Sequence, residues 1–105
     1  MAKFLITAKY LDEGWKGVLE EGFSGRETYV RGLIESLGAK TEAWYWTYGD
    51  DDVLLIVDGD QASVLAISLA VNKSGAVEVS TTPLLTTADL DAARAKLPEY
   101  RTPGS

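Results

Sequence analysis

Neither cysteine nor histidine occurs in this chain. The first absence excludes disulfides, cysteine-ligated zinc and thiolate catalysis. The second removes the commonest general base and metal ligand, and with them the histidine-ligated type of haem site. Any chemistry is left to carboxylates, Tyr, Lys, Arg, backbone groups or a bound cofactor, and no cofactor motif is present. A Ser–His–Asp set is impossible, and Gly22, Gly25 and Gly32 do not follow a strand at the spacing a phosphate-binding loop needs. No apolar run of about 18 residues occurs, so no membrane span is expected. The short apolar start Phe4-Leu5-Ile6 gives way at once to Thr7, Lys9 and Asp12 without a cleavage pattern, which predicts a cytoplasmic protein. Basic residues are few: 10 Lys and Arg stand against 16 Asp and Glu, for a net charge of −6. Phosphate contacts supply much of nucleic-acid affinity, so an acidic chain without a basic stripe is not expected to bind nucleic acid.

What is there fits one soluble-type domain. The 105 residues, 46% apolar and 25% charged, suffice for a core without metal or disulfide staples. Residues 1–98 are expected to form the domain and 99–105 a flexible tail. Lys3 to Tyr10 alternates, with Phe4, Ile6, Ala8 and Tyr10 on one face and Lys3, Leu5, Thr7 and Lys9 on the other, which predicts a strand. A short helix begins near Asp12, weakened by Gly14 and Gly17. Ser24 and Glu27 match a capping box for the next helix, with Val30, Leu33, Ile34 and Leu37 as its apolar stripe and Gly38 as its terminator.

An aromatic strand, Glu42-Ala43-Trp44-Tyr45-Trp46-Thr47-Tyr48, then meets the acidic turn Asp50-Asp51-Asp52 and the wholly apolar strand Val53 to Val57. Asp60 caps a helix to about Asn72 that is apolar nearly all round, so it is deeply buried or contacts a partner. Ala76 to Leu85 reads as a strand in which Pro83 marks an edge, bulge or end. Thr86 to Asp89 opens a last helix with Leu90, Ala93 and Leu97 inward, and Pro98 stops it.

The order β-α-β-β-α-β plus a helix is the ferredoxin-like α+β pattern, with one antiparallel sheet and helices on one face. The other face would then be bare. Because Leu54 and Ile56 are apolar as well as Val53 and Leu55, that face would exceed the ~300–600 Å² apolar patch usual on a monomer. A two-fold homodimer stacking sheet on sheet, a dimeric α+β barrel, removes the problem.

The chain resembles the GYD-domain family of the dimeric α+β barrel superfamily. The resemblance runs through Lys3-Phe4-Leu5-Ile6, Ala8-Lys9-Tyr10, Leu33 to Lys40, Glu42 to Trp46, Gly49 to Val53, Ala66 to Val71, Ser74 to Val77 and Thr81 to Thr86. At the hairpin the family pattern is Gly-x-Tyr-Asp. Gly49 and Asp52 match it, but Asp51 stands where the aromatic is expected. The resemblance implies fold and dimer, not an activity.

Three constellations are candidate sites. Asp50-Asp51-Asp52 offers clustered carboxylates, but adjacent turn residues diverge, so a hydrogen-bonded turn is expected and no metal. Trp44, Trp46 and Tyr48 share a strand face, which makes either an aromatic ligand wall or core and dimer interface. Lys9 would point into the barrel if helices cover the Phe4 face, and Glu42, expected on the Trp44 face, and Glu78 are carboxylates that burial would raise toward neutrality. The expected ligand-binding set is Lys9, Glu42, Trp44, Trp46, Tyr48 and Asp52, around a small apolar or aromatic molecule. The alternatives are a cofactor-independent isomerase, cyclase or oxygenase using Glu42, Asp52, Tyr48 or Lys9 for proton transfer, and an assembly module without ligand.

Overall fold

A computed structural model describes residues 2–105. Strand β1 (Ala2–Tyr10) leads through helices α1 (Asp12–Glu21) and α2 (Phe23–Ser36) to a hairpin of β2 (Lys40–Trp46) and β3 (Val53–Gly59). Helix α3 (Gln61–Lys73), strand β4 (Val77–Leu84) and helix α4 (Thr87–Ala95) complete it. The four strands form one sheet in the order β2-β3-β1-β4, with every neighbouring pair antiparallel. This is the expected ferredoxin-like α+β fold with an extra C-terminal helix.

Period-two alternation decides which face is covered. Phe4, Ile6, Ala8 and Tyr10 of β1 and Val53, Leu55 and Val57 of β3 are buried under Val18, Ile34, Val64 and Ile67 from α1, α2 and α3. On the opposite face lie Leu5, Thr7, Leu54 and Ile56, which no helix covers, in register with Ala43 and Tyr45 of β2 and Ser80 and Thr82 of β4. Pro83, which has no N–H to offer, sits on the edge strand β4 opposite Phe4.

Four local expectations are corrected. Ser24 is not an N-cap. Gly22, at φ 89°, ends α1 with its N–H donating to the Val18 carbonyl, and its own carbonyl accepts from the Arg26 N–H, so α2 starts one residue before Ser24. The aromatic strand stops at Trp46, which leaves Tyr48 in the loop. Of the two alternatives for α3, deep burial within the chain does not hold, since only Val64, Ile67 and Ser68 are buried and Leu69 is 70% exposed, which leaves contact with a partner. Helix α4 forms behind a true capping box between Thr86 and Asp89, yet Leu90 and Leu97 face solvent rather than a core. The chain departs from the domain at the end of β4, beyond the helices' reach. The radius of gyration is therefore 17.2 Å, against about 13 Å for a compact domain of this length.

Candidate functional site

The aromatic residues converge at the end of the sheet where β1 finishes and the hairpin turns. The Tyr10 ring lies 5.4 Å from that of Trp15 and 6.2 Å from that of Trp46. Trp46 meets Phe23 edge-on at 4.9 Å and Trp44 at 5.6 Å. Such tilted pairs are the favoured geometries of aromatic quadrupoles. The cluster lies on the covered face, so Trp44 and Trp46 look toward the helices; Ala43 and Tyr45 occupy the open face. A ligand wall built by these rings therefore belongs to the cleft between helices and sheet.

Two hollows that share no lining residue flank the ring cluster. Toward the hairpin, a groove of about 600 Å³ is lined by Trp15, Leu19, Phe23, Trp46, Tyr48 and Asp52. Tyr48 is fully exposed on its rim. Between α1, α2 and α3, a depression of about 390 Å³ is bounded by Tyr10, Gly14, Arg26, Tyr29 and Ala76, with Glu13 and Glu21 also on its wall. Beside it a small, partly open pocket of about 40 Å³ shares Tyr10, Arg26 and Val30 with the depression and reaches Trp44.

Arg26 is the charged group of this cleft. Its guanidinium carbon lies 6.0 Å from the Tyr10 ring centroid and 5.7 Å from that of Tyr29, within cation–π range. Its Nε is buried without a hydrogen-bond partner, and so is the Nε1 of Trp44. Among the described residues no carboxylate pairs with Arg26, whereas the neighbouring Arg31 is held by Glu27 at 2.8 Å.

The acidic turn is structural. The Asp52 carboxylate accepts the Tyr10 backbone N–H at 2.9 Å, and the Asp52 N–H donates to the Ala8 carbonyl, which extends the β1–β3 pairing by one residue. The Thr47 hydroxyl and N–H close the loop on the carbonyls of Asp51 and Asp52. Among the described residues no group of three acidic side chains is placed to hold a metal.

Of the six residues expected at the site, Trp46, Tyr48 and Asp52 line one groove and Trp44 stands directly behind it. Lys9 and Glu42 do not join them. Lys9 is on the open face opposite Glu78. Glu42 does not stand beside Trp44 as its position in the strand predicts. A bulge between Thr41 and Ala43 turns it to the open face, where it pairs with Lys3. Lys3 also lies 3.6 Å from Asp58. The Glu42 hydrogen bond raises the pKa of Lys3 above its usual value against desolvation, and the charges of Glu42 and Asp58 add to the rise. The proton-transfer candidates Glu42, Asp52, Tyr48 and Lys9 thus fall on two faces of the sheet and do not converge.

Tyr10, Trp15, Phe23 and Arg26 are absent from the set expected on sequence grounds. Each occupies an ordinary strand or helix position. Only the closure of the β1–α1–α2 unit onto the hairpin brings them together, although the three rings Tyr10, Trp15 and Phe23 within residues 10–26 are a visible signal.

The sequence model described as the GYD domain matches residues 4–93. No curated protein and no solved structure matches the chain.

Proposed function

We propose that this chain, which belongs to the GYD-domain family, works as a homodimer that binds a small apolar or aromatic molecule in the cleft between its helices and its sheet. The observation that carries the reading is the ring cluster. It does not end in sealed core but continues into a concave groove, where Leu19 is 69% and Phe23 44% exposed beside Trp46. Concave, ring-lined apolar surface with a few polar groups at its rim is the usual form of a small-molecule site. The dimer accounts for a different surface. Leu5, Leu54 and Ile56 form an apolar row across the uncovered face, bordered by the ion pair of Lys3 and Glu42, and a second copy placed sheet to sheet would bury it. The arm that follows β4, with α4 at Thr87–Ala95, would be ordered against the second copy, so that the folded unit of the dimer runs to about residue 98.

A panel of small hydrophobic and aromatic molecules, scored by melting temperature and Trp fluorescence, tests the binding. A ligand at 100 times its dissociation constant adds about 2.7 kcal/mol of stability. Trp46→Ala should reduce the response while the sheet still forms. A flat response across the panel rejects the binding.

A further inference from the structure

We propose that the ligand is a small organic carboxylate, anchored through its head group by Arg26 with its apolar body in the depression between α1, α2 and α3, against Tyr10 and Val30. The inference rests on the binding reading above and names the chemistry it would serve.

Two buried donors in one cleft lack acceptors: the Arg26 Nε–H and the Trp44 Nε1–H. Both residues border the same small pocket, whose other walls are mainly apolar side chains such as Ile6, Leu55 and Ile67, together with Ser68, whose hydroxyl is already hydrogen-bonded to the Val64 carbonyl and Thr81. A buried N–H left unpaired is disfavoured, and an unpaired guanidinium more so. What is missing is an acceptor for the buried Nε–H, and an anionic one would also meet the positive charge of the half-buried Arg26. A water molecule would satisfy an N–H but bring no charge. The guanidinium lies between the Tyr10 and Tyr29 rings. A guanidinium can grip a planar carboxylate by two hydrogen bonds, which a lysine ammonium cannot do. The depression beside it supplies room for the rest of the molecule, about 390 Å³ next to the small pocket.

Two acidic side chains share that wall. Glu13 is paired with Lys16 at 3.4 Å, and Glu21 has no cationic partner among the described residues. Glu21 therefore opposes an anion and limits its affinity.

Matched acid and amide pairs separate the head group from the apolar body: benzoate with benzamide, 2-naphthoate with 2-naphthamide, and octanoate with octanamide. Calorimetric titration of the full chain should show at least one acid binding about tenfold or more tighter than its amide. Raising the salt should weaken the acid and leave the amide unchanged. Arg26→Gln should abolish the preference, retain the amide and leave the melting temperature of the free protein unchanged or higher. A purely structural arginine would instead lower that temperature. Glu21→Gln should tighten the acid. Equal, salt-independent affinity for acid and amide in the unaltered protein would overturn the carboxylate while leaving the binding reading intact. Retention of the acid preference by Arg26→Gln would overturn it too. Binding of neither member of any pair would overturn both, and the salt series on the unaltered protein decides the question even if the variant fails to fold.

Discussion

The physics of this molecule is sharpest at two glycines of α1. A helix interior normally disfavours glycine by about 1 kcal/mol relative to alanine, so both Gly14 and Gly17 look like sites for improvement. Their surroundings differ. A Cβ on Gly17 would meet nothing within 4 Å. A Cβ on Gly14 would stand 2.3 Å from the Ala76 carbonyl oxygen and 3.1 Å from the Tyr10 ring. The Leu11 N–H donates to that same carbonyl at 2.9 Å, so backbone there is pinned and cannot retreat cheaply. The same substitution should therefore have opposite signs three residues apart. Gly17→Ala is expected to stabilise by about 0.5–1 kcal/mol. Gly14→Ala should destabilise by about 1–3 kcal/mol through overpacking, and it should also disturb Tyr10, the wall of the proposed site. Denaturant midpoints measure both, and two changes of the same sign would contradict the close approach of α1 to Ala76.

At the scale of elements, the helix N-termini show what sequence reading captures. The Asp60 carboxylate accepts the Ser63 N–H at 2.9 Å and the Ser63 hydroxyl at 2.7 Å. The backbone N–H first, then the hydroxyl, holds this carboxyl below its ordinary value of 3.8. Asp89 is lowered in the same way by the Thr86 N–H. A group whose folded-state value is depressed contributes stability that is present above its unfolded value and lost as pH falls through the folded one. On acidification below about 3.8, protection of the Ser63 amide against hydrogen exchange should therefore fall before that of the β1 and β3 amides. Asp60→Asn, which caps without titrating, should flatten the response. Loss of the sheet and of the Ser63 amide at the same pH would contradict local fraying. Both caps were legible because each is a contact between residues three apart. The Ser24 box was equally well spelled and did not form, because Gly22 turned the chain one residue earlier. The bulge at Glu42 was illegible for another reason: it depends on how β2 lies against β3 and on Lys3 from β1, residues 39 apart in sequence. The strand alternation revealed the two faces of the sheet, but only the fold showed that the tryptophans belong to the helix side.

For the whole molecule, the exposed apolar surface argues for association. The C-terminal arm leaves the domain with Leu85, Leu90, Leu97 and Tyr100 all more than half exposed, and the molecule extends 57 Å along its longest axis. Helix α4 has nine residues, and isolated helices shorter than about 12–15 residues are marginal in water even when well capped. Its persistence is best explained if its apolar side chains rest on a second copy, together with the stacked open faces. Sedimentation at micromolar concentration should then show twice the 11.4 kDa chain mass. Ile56 lies in the middle of the uncovered row, opposite Leu5 and Ala43. Ile56→Asp would leave the monomer's own core untouched but bury an unpaired carboxylate in the dimer, a penalty of about 3 kcal/mol or more. The variant should sediment as a folded monomer, and the helical signal of residues 87–95 should fall with dissociation. Removing residues 86–105 should weaken the dimer without unfolding the sheet. If the unaltered chain sediments at 11.4 kDa, or if Ile56→Asp remains dimeric, the open face is not the interface, and the helix and arm must be stable for some reason other than a partner.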